Sequence, residues 1–467
     1  MSAATQLAFD AGHAVGDVAR ALFPAGELIE PPGGLQSALR VTRARLAARP
    51  RHALFEATFE HGGVLTRADL LLPEDRSWSL VEVKSSGSVR DYHHEDVAIQ
   101  RWVCAGAGVP LARIELWCVD TAWVYAGDGD YRGLFARHDM ADASTARQSE
   151  VPRWIEAAQD TLAGGEPAVE MGEQCSTPFV CPFQGHCLSQ AGPQPEYPVT
   201  LLPNNKGKKL ARQLLADGYA DLRDVPPERF SEPEHVLIAR VTREGTPWIG
   251  PEAAAAVNAL SWPRAYLDFE TIGFAVPRWA GTRPYQQVPF QWSCRLEQPD
   301  GRLEPLEFLD LSGHDPRRAC AEALARDLPM SGAVVTYNAS FERGVLTGLA
   351  AYCSALSPPR PELAAALTDL AARIVDLLPI VRAHYYHRDM RGSRSIKAVL
   401  PTLGAGLDYD ALDEVQDGTA AQAAYLEATA PQTTPQRRDA LRRNLLRYCA
   451  LDAQAMVELA RFLGAPR

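Results

Sequence analysis

Two acidic residues within a short strand-like run place the strongest constraint on this chain. The run RAYLDFETIGF, residues 264–274, sets Asp268 and Glu270 two positions apart among apolar and aromatic residues. Side chains at i and i+2 of a strand point to the same face. Neighbouring carboxylates repel each other and lose solvation on burial, so a plain core strand would carry them at a cost. A divalent metal ion removes that cost, and the pair therefore predicts half of a metal site.

Length and composition indicate a soluble protein with more than one domain. The chain has 467 residues, 46% hydrophobic and 22% charged, and single cores seldom grow beyond about 250–300 residues. It contains no run of about 18 apolar residues that would predict a membrane span, and its beginning lacks the pattern of a signal peptide. Nine scattered cysteines do not resemble a disulfide framework. We therefore expect a cytoplasmic protein that does not associate with membranes.

The net charge narrows the possible relation to nucleic acid. A formal charge of −11 is unsuited to a protein that coats nucleic acid non-specifically. It is compatible with a nuclease, because acidic metal ligands and a local basic groove can coexist with a negative total.

The pattern of predicted elements divides an α/β chain into three parts. Residues 1–190 form a first α/β domain that ends in a cysteine cluster, and residues 191–262, broken by Gly and Pro, form a helical linker region. Residues 263–467 form a second α/β domain that begins with the strand carrying Asp268. Further strands are predicted in this domain at 288–296, 333–337 and 373–377.

The second domain contains candidates for the rest of the metal site. A two-metal nuclease needs several carboxylates that converge on ions about 3.5–4 Å apart. Asn338 and Glu342 are four residues apart after a predicted strand, and Tyr448 and Asp452 are four apart on a late helix. Between these pairs, a strand end and a helix start add further polar side chains: Asp376, Ser395 and Lys397.

The order D-x-E, N-x3-acid and Y-x3-D resembles the DEDD exonucleases that have a tyrosine in the last motif. The resemblance implies a ribonuclease-H-like fold and removal of nucleotides from 3′ ends with two Mg²⁺ or Mn²⁺ ions. It further implies that Asp268, Glu270, Glu342 and Asp452 hold the metals and that Tyr448 orients the attacking water. Glu342 departs from the family pattern, which has Asp there. Its longer side chain shifts the carboxylate by about one methylene, which alters the spacing of the metals or weakens activity.

The first domain carries a second arrangement of acidic and basic residues. Glu82 and Lys84 form E-x-K on one face of a predicted strand, and Asp69 ends the neighbouring strand of a hairpin. Two carboxylates can hold Mg²⁺, while a lysine positions or deprotonates water and steadies the charge that develops on phosphorus. The alternative is an exposed strand face with a salt bridge.

The spacing D-x12-E-x-K resembles the PD-(D/E)xK nucleases, specifically the RecB-like branch that includes CRISPR-associated RecB-type nucleases. The resemblance implies a restriction-endonuclease-like fold, a metal-binding histidine on an early helix and a glutamine on the helix after E-x-K. His13 and Gln100 match these positions. Cys104 stands where the branch usually has tyrosine. Glu56 is a further candidate, which would support the metal from an adjacent strand. His13 and Glu56 are either metal ligands or ordinary residues without a part in the site, and the sequence leaves both alternatives open.

Three cysteines follow this first pattern at regular spacing. Cys175, Cys181 and Cys187 form C-x5-C-x5-C, and thiolates in loops suit an Fe–S cluster or zinc, each of which needs four ligands. Related RecB-like nucleases hold an Fe–S cluster with one N-terminal and three C-terminal cysteines, and the N-terminal one is missing here. His186 is a candidate fourth ligand for zinc. Three free thiols are the alternative.

Two groups of basic residues are candidates for contacts with nucleic acid. Basic side chains beside a carboxylate metal site would steer a phosphate backbone toward it, and solvated helix faces are the alternative. The first group lies between the domains and the second precedes Tyr448: Lys206, Lys208, Lys209 and Arg212; Arg437, Arg438, Arg442, Arg443 and Arg447.

Nearly the whole chain resembles the uncharacterised bacterial domain-of-unknown-function 2779 family. The segments EVKSSGSVRDYHHEDVAIQ, PFQGHC, LDFETIGFAVPRWAGTRPYQQVPFQWS and YCALDAQAMV carry this resemblance. The first hypothesis is a metal-dependent nuclease with two active sites, acting on DNA in repair, recombination or defence. The alternatives are a nucleic-acid-binding or scaffold protein whose nuclease folds have lost turnover, and an exonuclease that trims RNA.

Overall fold

The computed structural model describes residues 3–48, 51–407, 409 and 412–466. Within these ranges the chain is a mixed α/β protein, and the predicted class is confirmed. It divides into two compact units. The first contains the described residues up to Gln190 together with Gly273–Gln286, and the second contains Ala191–Ile272 together with the described residues from Gln287 onward. None of the helices in the described ranges is long and apolar enough to cross a membrane.

A six-stranded mixed sheet forms the centre of the first unit. Its strands follow one another in space as they do in sequence. The second, third and fourth strands are antiparallel neighbours, and the fourth and fifth are parallel. The strands are β1 (Glu27–Leu28), β2 (Leu54–His61), β3 (Val64–Pro73), β4 (Trp78–Lys84), β5 (Leu111–Val119) and β6 (Phe135–Asp139).

Helices cover both faces of this sheet, as the alternation of side chains along a strand requires. They are α1 (Ala3–Ala21), α2 (Gly34–Ala48), α3 (Asp91–Gly106), α4 (Ala141–Ala146), α5 (Val151–Ala163) and α6 (Gln184–Gln190). Leu80 of β4 packs with Ala38 of α2 and Val103 of α3. Its neighbour Val81 enters a separate cluster with Ala19 of α1. Helix α3 connects the parallel strands β4 and β5, which a hairpin turn cannot join.

A five-stranded mixed sheet organises the second unit. The strand carrying Asp268 lies at its centre. The pairings on one side of it are antiparallel, and those on the other side are parallel. The strands of the unit are β7 (Trp248–Ile249), β8 (Arg264–Ile272), β9 (Val288–Glu297), β10 (Leu303–Leu309), β11 (Ala333–Thr336), β12 (Ile374–Asp376) and β13 (Tyr385–Tyr386). The sheet order is β10-β9-β8-β11-β12, and β7 pairs with β13 separately. Strands β8, β9, β11 and β12 confirm those predicted from the sequence.

Helices also pack on both faces of this second sheet. They are α7 (Asn204–Ala216), α8 (Pro233–Glu244), α9 (Ala253–Asn258), α10 (Arg317–Asp327), α11 (Ser340–Ala355), α12 (Pro361–Ala372), α13 (Leu377–His384), α14 (Ile396–Val399), α15 (Gly418–Thr429) and α16 (Pro435–Gly464). Tyr266 of β8 packs in one cluster with Met456 of α16. The next residue, Leu267, packs in another cluster with Leu346 of α11. Asp268 and Glu270 share the face of Tyr266, so they lie on the side of the sheet that α16 covers.

Residues 191–262, predicted as a helical linker region, contribute to the core of the second unit. Leu214 of α7, Val241 of α8 and Val257 of α9 are all buried in the cluster that contains Tyr266. Burial of apolar surface is the main favourable term in folding, so these helices and the central sheet stabilise each other.

Candidate metal sites

The residues of D-x-E meet side chains of the long last helix. The Cys449 Sγ of α16 lies 3.5 Å from the Asp268 Oδ2 of β8. Potential ligand atoms of Asp268, Glu270 and Cys449 all lie within 4.8 Å of one another. Asp452, one turn further along α16, is buried beside them. The structure therefore brings together the first and last acidic motifs of the sequence.

Burial and mutual repulsion raise the pKa values of these carboxylates. Burial, and then the charge of Asp452, raises the pKa of Glu270 to about 8. Burial raises the pKa of Asp268 well above its ordinary value, and the charges of Asp452, Glu270 and Glu342 raise it further. Burial also raises the pKa of Asp452, although Tyr409 and Lys397 oppose the shift. Without a cation, ionisation of this group of carboxylates costs several kcal/mol, because each pKa unit above the ordinary value corresponds to about 1.4 kcal/mol.

Glu342, on α11, lies near enough to this group for its charge to raise the pKa of Asp268. It lies in the first turn of α11 and is only 4% exposed, and its Oε2 has no hydrogen-bond partner among the described residues. Burial raises the pKa of Glu342 to about 7. Asn338 precedes the helix with φ of +72°, and its backbone N–H donates to the Asp376 carboxylate at 2.9 Å. Asp376 thus orders the loop that starts α11, and it also caps α13.

A lysine and two tyrosines border the carboxylates. Ser395 caps α14 and so fixes the position of Lys397. The Lys397 ammonium donates to the Tyr448 hydroxyl at 3.2 Å. Tyr409, from the loop between α14 and α15, donates its hydroxyl hydrogen bond to Asp452. Burial, and then the charge of Asp452, raises the pKa of Tyr448, which keeps this hydroxyl protonated.

The residues present fit a hard divalent cation. Carboxylate oxygens are the ligands that Mg²⁺ and Mn²⁺ prefer. The buried, unpartnered Glu342 Oε2 and the close contact between Asp268 and Glu270 are the features that a cation would stabilise. Sequence reasoning missed Cys449 and Tyr409. Cys449 lies three residues before Asp452, a spacing that puts both on one helix face and was a usable signal. No local pattern marks Tyr409.

The first unit brings its acidic residues together across three neighbouring strands. Leu70 of β3 pairs with Val81 of β4, so the adjacent position, Asp69, lies beside Glu82. The register between β2 and β3 likewise places Glu56 beside Asp69. The three acidic residues therefore occupy neighbouring positions on adjacent strands. Burial raises the pKa of Asp69 well above its ordinary value, and the charge of Glu82 adds to the shift.

The E-x-K pair belongs to a buried polar network. The Lys84 ammonium donates to Glu82 at 2.6 Å and to Asp96 of α3 at 2.7 Å. The Gln100 amide donates to the other Glu82 oxygen at 2.7 Å. Glu82 is only 7% exposed, so the salt bridge does not lie on an exposed strand face. Sequence reasoning missed Asp96, although its position four residues before Gln100 on one helix face was a usable signal.

A cavity of the first unit unites most of the residues predicted there. His13, Glu56, Asp69, Glu82 and Lys84 all line it. Glu56 has φ of +56°, an uncommon conformation for a strand residue other than glycine. Its carboxylate pairs with two basic side chains, whose nitrogens lie 3.6 and 3.2 Å away: Arg20 and Arg67. His13 and Glu56, whose roles the sequence left open, therefore line the same cavity as the E-x-K motif.

Cys104, which stands where the RecB-like branch usually has tyrosine, is a core residue. It is fully buried in the core with Leu116 and Val103. Burial raises the pKa of the Cys104 thiol to about 12. Its position one turn after Gln100 therefore serves packing.

The three loop cysteines lie near the end of the first unit. The Cys181 N–H donates to the Cys175 carbonyl at 2.8 Å, and all three thiols are partly exposed. Within the described residues they belong to no group whose ligand atoms lie within 4.8 Å of one another, whereas sulfurs that share one zinc ion lie roughly 3.8 Å apart at Zn–S distances of about 2.3 Å. The His186 Nε2 lies 2.8 Å from a Glu166 oxygen. The arrangement therefore lacks the compactness of a zinc site.

The apolar surroundings of these cysteines are unusual. Phe179, Val180 and Phe183 are 63%, 71% and 68% exposed. Exposed apolar residues of this density mark a segment that lacks a core of its own. An Fe–S cluster, whose thiolate ligands bind different iron atoms, would organise the segment at wider spacing.

The predicted basic groups differ in how far their charges are paired. Lys206 pairs with Glu232, and Arg437 pairs with Glu414 and Glu427. Arg447 lies 3.5 Å from Asp413, and Arg438 donates to the Ala428 carbonyl. Further members of both groups are exposed on α7 and α16, whether or not they are paired: Lys208, Lys209, Arg212, Arg442 and Arg443.

Comparison with known proteins adds one match. A family model described as "Domain of unknown function (DUF2779)" matches residues 265–395. The matched segment contains Asp268, Glu270 and Glu342 but ends before Tyr448 and Asp452. The resemblance expected over nearly the whole chain is thus found for this segment. No curated protein and no solved structure matches the chain.

We predict that the stability of the metal-free protein falls as pH rises from about 5 to 9. The folded-state pKa values of Glu270 and Glu342, about 8 and about 7, exceed the ordinary value of 4.5. Their contribution is therefore fully present below pH 4.5 and is lost as pH rises through 7 and 8. Melting temperatures measured in EDTA should show this fall, and Mn²⁺ should reduce it.

The variant Glu270→Gln should flatten this dependence, because the amide does not ionise. Glu307→Gln, an exposed position on β10, is the matched control and should leave the profile unchanged. A melting temperature that stays level or rises over this range in EDTA would contradict the prediction.

We also predict that anaerobically purified protein contains iron with acid-labile sulfide, bound through Cys175, Cys181, Cys187 and a fourth ligand other than an N-terminal cysteine. Cys181→Ala should remove the iron, whereas Cys353→Ala, which removes a buried thiol of the second unit, should not. Elemental analysis measures both. Wild-type protein free of iron and zinc would return the three residues to ordinary thiols.

Proposed function

We propose that this protein is a metal-dependent nuclease that hydrolyses phosphodiester bonds, with DNA as the favoured substrate and with two active sites. The observation that carries the proposal is the convergence of Asp268, Glu270 and Asp452 beside Tyr448 and Lys397. Phosphodiester hydrolysis with divalent metals requires buried carboxylates of this kind. A structural role alone offers no compensation for placing them together.

The architecture of the second unit supports a ribonuclease-H-like exonuclease domain. Its D-x-E strand, β8, is central. It pairs antiparallel with β9 on one side and parallel with β11 on the other. The remaining motif residues come from α11 and α16, which pack on opposite faces of the sheet. Asp268, Glu270, Glu342 and Asp452 would hold the divalent ions, which supply charge stabilisation and an activated water when bound.

The other residues of this site have roles that follow from their contacts. Tyr448 keeps its proton, so its hydroxyl can donate a hydrogen bond that orients a water. Lys397 supplies the positive charge that lowers the pKa of Glu270 and Asp452. Tyr409 fixes the Asp452 carboxylate through its hydroxyl.

The cavity of the first unit supports a second, RecB-like site. Asp69 and Glu82 would hold a divalent ion, with His13 at the rim of the same cavity. Burial alone lowers the pKa of Lys84, but Glu82 and Asp96 outweigh it and raise the pKa. Lys84 therefore stays charged at neutral pH, which suits it to stabilise negative charge on a phosphate better than to accept a proton.

The exposed basic residues of α7 and α16 would contact the phosphate backbone. Lys208, Lys209, Arg442 and Arg443 are exposed within an otherwise acidic chain. Backbone contacts of this kind are shared by DNA and RNA. They are consistent with trimming of RNA as the alternative activity.

One observation favours a second candidate function, in which a nuclease fold binds nucleic acid without turnover. Glu342 stands where the exonuclease pattern has Asp, and its buried Oε2 has no hydrogen-bond partner in the part of the chain that the structure describes. A displaced carboxylate can lower activity by shifting a metal ligand. Measured cleavage by the second unit decides between the two candidates.

We predict that two single substitutions separate the two activities. Asp268→Ala should abolish Mn²⁺-dependent trimming of 3′ ends, because it removes a ligand from the β8 site. Lys84→Ala should abolish the remaining cleavage while metal binding persists, because lysine is not a ligand. The assay uses end-labelled and internally labelled single-stranded and duplex DNA and RNA, with EDTA as the negative control.

Asp315→Ala and Arg318→Ala serve as controls, since these residues make ion pairs outside both groups of carboxylates and outside the predicted basic groups. If both Asp268→Ala and Lys84→Ala cleave every substrate as well as wild-type protein, the proposed sites are wrong. If wild-type protein binds the strands without cleaving them, the candidate without turnover is correct.

We further predict that Lys397→Met lowers the rate of 3′ trimming by about tenfold or more. The substitution removes the positive charge of the lysine and its hydrogen bond to Tyr448. Lys397→Arg should retain part of the rate. Single-turnover kinetics measures the change. Equal rates for Lys397→Met and wild-type protein would show that the lysine has no catalytic part.

A further inference from the structure

A segment that follows the D-x-E strand in sequence belongs to the first unit. Gly273–Gln286, here called the excursion segment, joins β8 to β9 of the second unit but groups with the described residues up to Gln190. Fourteen residues exceed the length that a connection between antiparallel neighbours needs. The excess length demands an explanation in terms of what the segment contacts.

The excursion segment packs on the elements that carry the first candidate site. Ala275 is buried in one cluster with Val15 of α1 and Val119 of β5. Val276 packs against the same cluster, as does Val83, which lies between Glu82 and Lys84 on β4. The segment therefore contacts both the helix of His13 and the strand of Lys84.

Hydrogen bonds fix the segment along its length. The Tyr125 N–H donates to the Thr282 carbonyl at 3.0 Å, and the Gly281 N–H donates back to the Tyr125 carbonyl at 2.8 Å. The Tyr131 hydroxyl donates to the Pro277 carbonyl at 3.0 Å. This regular pairing excludes a loosely attached loop.

Tyr285 ends the segment next to the E-x-K motif. Its hydroxyl donates to the carbonyl of Ser85, the residue that follows Lys84. Its backbone has φ of +60°, which is uncommon for an aromatic residue, and its N–H donates to the Phe274 carbonyl at 2.7 Å. Tyr285 is 38% exposed even though its hydroxyl makes the hydrogen bond to Ser85. A ring of fixed position thus presents part of its surface to solvent beside the site.

The composition of the segment indicates what this surface contacts. GFAVPRWAGTRPYQ contains two arginines and three aromatic residues but no acidic residue, in a chain with a net charge of −11. Arg278 and Arg283 are exposed. Aromatic rings that stack on bases and basic side chains that follow the phosphates are the shared features of surfaces that bind single strands.

We propose that the excursion segment is the single-strand-binding surface of the Asp69–Glu82–Lys84 site, and that Tyr285 stacks on a base next to the phosphate that this site holds. The inference rests on the proposed nuclease function of that site and adds its substrate class. Duplexes are poor ligands for this surface, because their bases are already stacked. Tyr285 is a positioning residue, since it acts on the base and Lys84 on the phosphate.

The decisive test compares Tyr285→Leu with Tyr285→Phe in the full chain. Leucine keeps an apolar side chain of similar reach but cannot stack as a ring, whereas phenylalanine keeps the ring and loses only the hydrogen bond to Ser85. Fluorescence anisotropy in EDTA measures the Kd for short labelled single strands of DNA and of RNA and for a duplex. Cleavage in an Asp268→Ala background measures KM and kcat for the first site.

We expect Tyr285→Leu to raise the Kd and KM for single strands about tenfold, the effect of removing one ring that stacks on a base, with little change in kcat. Tyr285→Phe should stay close to wild type, and binding to duplex should change little in either variant. DNA and RNA should respond alike, because both offer base faces. The double variant Arg278→Ala, Arg283→Ala should reduce the salt dependence of single-strand binding, by a slope of about 0.7 for each phosphate that the arginines no longer neutralise.

Three results would overturn the inference. The first is unchanged single-strand binding by Tyr285→Leu, with a melting temperature equal to that of wild type. The second is an equal loss in Tyr285→Phe, which would assign Tyr285 only the structural hydrogen bond to Ser85. The third is a wild-type protein that does not bind single strands. Lys84→Ala distinguishes the proposals: cleavage that survives this change refutes the nuclease site, whereas the anisotropy measurements still decide the role of Tyr285.

Discussion

Mutual repulsion among buried carboxylates is the interaction on which the second unit depends. Strand β8 carries Asp268 and Glu270 on the face that α16 covers, and α16 adds Asp452 to the same group. A fold that buries these groups loses stability unless their charges are neutralised. Lys397 supplies one positive charge and Tyr409 one hydrogen bond. The rest of the compensation is the part that a divalent ion would supply.

The first unit handles the same problem in a different way. There Lys84 lies between Glu82 and Asp96 and neutralises much of their charge within the chain. Glu56 has its own arginine partners. Asp69 is the acidic residue of this group whose pKa burial raises most clearly, while its carboxylate accepts the Val83 N–H at 2.7 Å. The two groups therefore differ in how much they depend on a bound cation.

The sequence predicted the parts of these groups that lie close together in the chain. D-x-E on one strand and Y-x3-D on one helix follow from the periods of the two elements, and the structure brings both pairs together. Asp96 was within reach of the same reasoning. Tyr409 was not, because its contact with Asp452 joins a loop to a helix 43 residues later. Tyr285 is an extreme case, since its partner Ser85 lies 200 residues away. Contacts of that range depend on the tertiary fold and leave no local period in the sequence.

The domain organisation shows the same limit. The helices of residues 191–262 were detectable from their punctuation by Gly and Pro, but their burial beside Tyr266 depends on packing partners far along the chain. Likewise, residues 273–286 fall within the second domain predicted from the sequence, 263–467, although Ala275 is buried in the core of the first unit.

Calorimetric titration of the metal-free full chain with Mn²⁺ tests the central claim most directly, because it measures the cation that the carboxylates require. The account predicts saturable binding, of which the part due to the β8 site is weakened at least tenfold in the double variant Asp268→Asn, Asp452→Asn. Glu307→Gln should leave all of the binding unaffected. Absence of Mn²⁺ binding to wild-type protein, or equal binding by the double variant, would contradict it.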